Sequence, residues 1–220
     1  MSKEDSNARY RELQEHRERT GEPLGWFEDL YRLQRDGEET VPWLRDAPNA
    51  ELVKWAESNT VPPGGEACVI GCGLGNDAAY LASRGWHTVA FDIAPTALTL
   101  ARERHPQAPV EWVVADLTQL PGTLTGRFDF VFEANTLQAI PAGLRALAFP
   151  CAFQLLKPGG ALLLVARARD ASQPADGPPW PLTREELIPP AGFIEESLSE
   201  ILAGDNPSDR RWRILYRRPA

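Results

Sequence analysis

"ACVIGCGLGND", residues 67–77, sets three glycines at alternate positions, Gly71, Gly73 and Gly75, behind a short apolar run and ahead of an acid, Asp77. The run over 67–70 reads as a short buried strand, and 77–84, stopped by Gly85, reads as a helix. A glycine-rich turn between a first strand and a first helix lets backbone approach a ligand closely. It also aims a helix N-terminus at polar or negative groups. The loop is therefore the candidate ligand site, although its G-x-G-x-G spacing departs from the G-x-G-x-x-G of dinucleotide folds.

Outward from this loop the chain alternates strands and helices. Strands are expected over 87–91, 110–114, 128–132 and 161–165, the last after the turn "KPGG". Helices are expected over 95–104 and near 144–156, the second interrupted by Pro150. Such repetition implies a parallel sheet covered on both faces. The rhythm then changes. After the Pro-rich "ASQPADGPPWP", "TREE" opens a short helix with a capping box at Thr183 and Glu186. Two strand-like runs, 193–202 and 212–216, are joined by "AGDNPSD" into a hairpin that appends antiparallel strands. At the other end, the charged first 20 residues have Tyr10 and Leu13 as their sizeable apolar anchors and read as a frayed or loosely docked helix. Trp26, Phe27, Leu30, Tyr31, Trp43 and Trp55 follow in helical pieces around a loop containing "VPW".

With 220 residues, 43% hydrophobic and 25% charged, the chain suits one domain with a full core. A net charge of -8 weighs against nucleic acid as a partner. The cluster Arg210, Arg211, Arg213, Arg217 and Arg218 reads as a solvated edge that discourages strand pairing. No apolar run is long enough to span a bilayer and the charged start lacks a signal-peptide core, so no membrane partner and a cytoplasmic location are expected. Cys68, Cys72 and Cys151 lack a paired metal-ligand spacing and read as reduced core or loop residues, with no metal.

Two acids extend the loop's ligand. Asp92 ends the second strand in "VAFDIAP", where a carboxylate can accept from both hydroxyls of a ribose, and Asp116 follows the third in "VVADLTQLP", where an acid can meet an adenine amino group. Each can equally cap the next turn.

On these features the sequence resembles the class I S-adenosylmethionine-dependent methyltransferases. Over about residues 60–170 it carries "VIGCGLG", "VAFDIAPTAL", "VVADLTQLP", "FDFVFEANTL" and "LLKPGGALLLVA" in the family's order. The resemblance implies an α/β, Rossmann-like, seven-stranded, mostly parallel sheet with a C-terminal antiparallel hairpin. It also implies an N-terminal helical lid, residues 1–60, of the same domain as a core over 61–220. Most of the superfamily has an acid where Val69 stands, so the methionine ammonium must find another partner, such as a loop carbonyl. The thiopurine, thiol and halide methyltransferases look closest, because they read V-P-G-C-G-x-G-x-D, with an apolar residue there and an acid matching Asp77. "WFEDLY" and "VPW" resemble that branch's aromatic closing segment, and "ANTLQAIPAGLR" its region after the fourth strand.

The implied cofactor is S-adenosyl-L-methionine, leaving as S-adenosyl-L-homocysteine. It would be held by Gly71, Cys72, Gly73, Gly75, Asp77, Asp92, Ile93, Asp116, Leu117, Glu133 and Trp43. Glu133, Asn135 and Tyr31 are the candidate catalytic groups, Glu133 orienting the cofactor or taking a proton and Asn135 positioning the acceptor. Trp26, Arg145 and Trp180 are the candidate substrate contacts. Core packing remains an alternative for Trp26, loop stabilisation for Glu133 and Asn135, and an exposed position for Arg145. His87 and His105 sit away from the methyl group, while His16 stays open. The shortage of a placed histidine favours a thiol or other soft nucleophile over an oxygen or nitrogen acceptor. A small-molecule acceptor and a monomer or homodimer are expected. Two alternatives come from other classes: an NAD-binding oxidoreductase, and a noncatalytic module that senses S-adenosylmethionine.

Overall fold

The computed structural model describes residues 3–41, 43–202 and 209–220. Pro42 of the "VPW" loop and 203–208, most of the polar connection "AGDNPSD", lie outside the described residues. Seven strands form one sheet: β1 (Glu66–Ile70), β2 (His87–Asp92), β3 (Val110–Val114), β4 (Phe128–Ala134), β5 (Leu156–Arg167), β6 (Ile194–Leu202) and β7 (Arg210–Arg217). Around them lie α1 (Lys3–Arg19), α2 (Trp26–Arg35), α3 (Ala50–Ser58), α4 (Asn76–Ser83), α5 (Pro95–Arg104) and α6 (Ala142–Gln154). The strand order is β3-β2-β1-β4-β5-β7-β6.

The pleat distributes apolar residues between the two faces. Cys68 and Ile70 of β1, Val131 of β4, and Leu162 and Leu164 of β5 pack with Phe149 and Phe153 of α6. Their strand neighbours Ala67, Val69, Phe130, Phe132, Leu163 and Val165 face the other way, onto Leu52 and Trp55 of α3 and Leu81 of α4. Trp55 stacks on Phe130 with ring centroids 3.6 Å apart. A strand segment buried on both faces must be apolar, which is why 67–70 of β1 and 130–132 of β4 read as hydrophobic runs.

The sequence-based elements recur with four physical corrections. Pro150 sits inside α6 without breaking it. It lies on the exposed side, where the carbonyl of Ala146 that it leaves without a donor meets water. The run "KPGG" belongs to β5, entered through a register shift between Phe128 and Phe130 of β4. Most consequentially, β7 pairs antiparallel with both β5 and β6, so it is inserted between them and is the one strand that runs opposite. The arginine-rich run is thus interior to the sheet and does not form an edge. Its guanidinium groups are matched instead: Arg210 with Asp170 and Glu200, Arg213 with Glu51, and Arg217 with Glu196. The short helix at "TREE" is a single 3-10 turn, Glu185–Leu187, and half of its capping box forms, with Thr183 N–H donating to Glu186 Oε2 at 2.9 Å.

The N-terminal helices are better anchored than their charge suggests. Tyr10 is buried and donates its hydroxyl to Thr40 O, and Arg17 grips Asp29 of α2 through two bonds of 2.7 and 2.6 Å. α2 is clamped in turn to the start of α5, where Glu28 accepts from both the N–H and the hydroxyl of Thr96, at 3.0 and 2.7 Å. Burial pushes the Glu28 carboxyl up, but these bonds and Arg32 outweigh it and hold it below the ordinary range.

Candidate active site

Because β2 and β3 lie to one side of β1 and β4 and β5 to the other, connections diverge above β1 and open a cleft at the strands' C-terminal ends. Its floor is Ile70 to Asp77, Phe91 to Ile93, Ala115 to Leu117 and Ala134 to Thr136; its roof includes Phe27, Tyr31, Trp43 and Arg45. Twelve of the sixteen sequence-based site residues line this cleft, and the four exceptions are treated below.

The glycines are required twice over. Gly71 and Gly73 have φ of +56° and +51°, a region L side chains rarely adopt. A Cβ on Gly71 would also lie 2.1 Å from Thr136 Oγ1, and one on Gly73 would lie 2.8 Å from the Tyr31 hydroxyl. The loop is thereby pressed against β4's exit on one side and the roof on the other.

Three carboxylates line the cleft. Asp92 Oδ2 accepts from Gly73 N–H at 2.9 Å and Oδ1 from Ala94 N–H at 3.0 Å. Burial pushes its carboxyl up to about 6, against these backbone bonds. Asp116 caps the following 3-10 turn through Oδ1 alone, which accepts from Thr118 N–H and Oγ1 at 2.7 and 2.8 Å. Asp77, in the first turn of α4, accepts from Asn49 N–H at 2.6 Å, and burial raises its carboxyl. Asn49 itself caps α3, so Asp77 ties the N-terminal segment to the glycine loop. Opposite them, the Tyr31 hydroxyl accepts from Trp43 Nε1 at 2.9 Å; burial, then the charge of Asp92, raise its pKa. Burial likewise pushes the Cys72 thiol up, so neither group is a ready base.

Comparison with known proteins then fixes the family. A family model described as a methyltransferase domain matches residues 68–160. Thiocyanate methyltransferase 1 of Arabidopsis thaliana is 30% identical over 171 residues, which cover 74% of this chain and 73% of that protein. The chain is a class I S-adenosylmethionine-dependent methyltransferase. This methyltransferase is also 29% identical over 166 residues, 73% of its length and 72% of the other's, to 2-heptyl-1-hydroxyquinolin-4(1H)-one methyltransferase of Mycobacteroides abscessus. Its fold matches the N-methyltransferase NodS of Bradyrhizobium japonicum, solved with S-adenosyl-L-homocysteine, at a TM-score of 0.65 and 20% identity, over 88% of this chain and 100% of that one.

S-Adenosylmethionine is therefore the methyltransferase's cofactor, and the oxidoreductase and noncatalytic alternatives fall with the family. The cleft suits the molecule's chemistry: carboxylates at successive strand ends for hydroxyl and amino donors, and aromatic faces for a sulfonium cation. Val69, the position that carries an acid in most of the superfamily, is buried in the opposite core.

Four sequence-based residues are placed elsewhere. Glu133 does not line the cleft; it is fully buried on the α6 face, where Oε1 accepts from Thr136 and Leu137 N–H at 2.7 and 3.0 Å. It staples the turn after β4, and burial lifts its carboxyl to about 7. Trp26 is wholly buried among the roof helices, while its neighbour Phe27 faces the cleft. Arg145 is buried against Glu186 at 3.0 Å, away from the cleft. Trp180 also stands outside the lining, its backbone N–H donating to Gln138 O at 2.7 Å. Phe27 and Arg45 were not among the sequence-based candidates; the i, i+4 spacing of Phe27 and Tyr31 marks them as one helix face. Among the described residues, no helix is long and apolar enough to cross a membrane, and no group of three or more His, Cys, Asp or Glu is arranged to hold a metal.

Proposed function

We propose that this methyltransferase transfers the methyl group to a small molecule through sulfur or another soft nucleophile, within a single domain whose residues 1–60 form the lid and 61–220 the core. The observation that carries this reading is the absence of a histidine from the lining among the described residues, its carboxylates being engaged by backbone N–H groups. Its titratable groups are Asp77, Asp92, Asp116, Tyr31, Cys72 and Arg45, and no histidine lies there. His105 is held by Asn76 at 3.0 Å, and His87 starts β2 at the opposite end of the sheet. A thiolate or halide needs no proton removed, whereas an alcohol benefits from a general base. The thiocyanate methyltransferase relative supports the same chemistry; the relative that methylates 2-heptyl-1-hydroxyquinolin-4(1H)-one supports a second reading, a hydroxylated heterocycle as acceptor.

In this reading Asp92 takes the ribose hydroxyls and Asp116 Oδ2 the adenine amino group, with Ile93 and Leu117 against the base. Gly71, Cys72, Gly73 and Gly75 cradle the methionine half, a loop carbonyl takes its ammonium in place of an acid at Val69, and Asp77 braces the loop against the N-terminal segment. Tyr31, Trp43 and Phe27 exclude water and face the cation. When bound, the cofactor supplies an activated methyl on a sulfonium; the protein's contribution is alignment and desolvation. Cytoplasmic location, no nucleic-acid partner and a monomer or homodimer complete the proposal. The test is a product screen with S-adenosylmethionine against thiocyanate, iodide and small thiols beside matched phenols and amines. Methylated sulfur or halide products support the reading; turnover of phenols or amines alone overturns it.

A further inference from the structure

Asn135 has φ +68°, in the left-handed region, immediately after β4 at the floor of the cleft. A non-glycine residue held there costs energy, which surrounding contacts must offset. Here two donors hold it. Its Oδ1 accepts from Arg211 NH1 at 2.9 Å and from Gln138 Nε2 at 3.2 Å.

The chemistry of these donors settles which way the amide faces. A guanidinium has no acceptor, so the group that meets Arg211 must be the oxygen of Asn135. Gln138 imposes the same orientation independently: its own Oε1 accepts from Arg167 N–H at 2.5 Å, which leaves Nε2 to donate. Arg211 is fixed in turn by Asp209, with Nε and NH2 at 3.0 and 3.3 Å from the carboxylate, and its side chain is only 11% exposed. With both of these bonds taken at Oδ1, Asn135 Nδ2 has no acceptor among the described residues.

We propose that Asn135 is a locked hydrogen-bond donor to the methyl acceptor, and that the acceptor enters as an anion, a thiolate or a small inorganic ion. This rests on the soft-nucleophile reading above and narrows it to the ionised form. An amide NH₂ with a guanidinium behind it stabilises lone pairs and negative charge and cannot take a proton. Asp209 pairs with Arg211 and lies 3.8 Å from Arg167 Nε, so the donor behind the amide is held in place by a bonded ion-pair network. In the step, a lone pair of the anion forms the bond to the methyl carbon as the carbon–sulfonium bond breaks. That electron pair stays on the sulfur of neutral S-adenosylhomocysteine, and no proton moves. A neutral alcohol or an ammonium would bring a proton that the locked amide cannot accept.

The test uses Asn135→Asp, which keeps the side chain's shape, tolerates the left-handed backbone and still offers Oδ1 to Arg211 and Gln138, but replaces the donor by an acceptor. Thiocyanate is titrated calorimetrically into protein saturated with S-adenosylhomocysteine, and steady-state methylation of thiocyanate and iodide is measured alongside. The expected result is unchanged S-adenosylhomocysteine affinity and thiocyanate binding weakened about tenfold to a hundredfold, with KM raised to match. Arg211→Met, which frees the amide to rotate, is expected to raise KM less than Asn135→Asp does. If the wild type methylates these anions and Asn135→Asp binds thiocyanate equally well, the proposal is overturned while the soft-nucleophile reading stands. If the wild type methylates phenols or amines alone, that reading falls and the proposal with it.

Discussion

Replacing Glu133 by glutamine should stabilise the protein at neutral pH, although Glu133 is buried and bonded. Its Oε1 accepts two backbone N–H bonds, while Oε2 is buried without a partner. Burial raises the carboxyl from the ordinary 4.5 to about 7. At about 1.36 kcal/mol for each tenfold change in proton affinity, that difference amounts to about 3 kcal/mol. The sign follows from proton counting. Below 4.5 both folded and unfolded states are protonated and the cost is absent. Between 4.5 and 7 the unfolded state holds fewer protons, so stability falls as pH rises; above 7 the whole cost is present. Glutamine keeps the accepting oxygen and cannot ionise. Urea denaturation of both proteins from pH 4 to pH 8 should give equal stability at the acid end and a Glu133→Gln advantage approaching about 3 kcal/mol at pH 8, or roughly 6–12 °C in Tm. Asp92 also favours the acid side, between 3.8 and about 6, but it is common to both proteins and cancels in the difference. A wild-type-minus-variant difference that stays flat with pH would refute the argument, as would a variant destabilised at pH 8.

Three further outcomes separate the site from its supports. Asp92→Asn keeps an acceptor for Gly73 N–H but removes the charge that the ribose hydroxyls would meet, so S-adenosylhomocysteine affinity should fall about tenfold or more by calorimetry; unchanged affinity would remove Asp92 from the cofactor site. Gly71→Ala, strained at φ +56° and pressed on Thr136, should cost about 1–3 kcal/mol and weaken cofactor binding together, and a variant matching wild type in both would contradict the loop geometry. Arg145→Leu should destabilise by about 1–3 kcal/mol, since Glu186 keeps Arg169 and Thr183 N–H as partners. Its S-adenosylhomocysteine affinity and acceptor KM should not change; a raised KM with unchanged stability would return Arg145 to the acceptor site.

How far the sequence could be read follows from which features are local. The glycine turn, Asp92 and Asp116 are each set by a strand end, and α5 and β3 occupy the very residues the periodicity predicts. The orientation of Glu133 is not local, because β4 carries apolar Val131 on the same face as Asp129 and Glu133. "FDFVFEA" gives no alternation from which to count, so whether position 133 points to the cleft or to α6 is decided by the register Ile70 with Glu133. In that register Glu133 shares a face with Val131, and it is the next turn, not the strand, that delivers Asn135 to the cleft. The arginines of β7 were misread for a related reason. An edge and an interior strand have the same local pattern, and only the insertion of β7 between β5 and β6 brings Arg211 across to Asn135, 76 positions earlier in the chain. Trp26 and Phe27 differ by about 100° around one helix, so neighbours in sequence divide between core and cleft. The cofactor end of the site is thus written in short motifs, because each part belongs to one strand and its turn. The acceptor end proposed above rests on β4, β5 and β7 through Asn135, Gln138, Arg167 and Arg211, whose contacts form once the sheet is closed. The orientation of the Asn135 amide accordingly depends on that long-range network, which no single strand and its turn encodes.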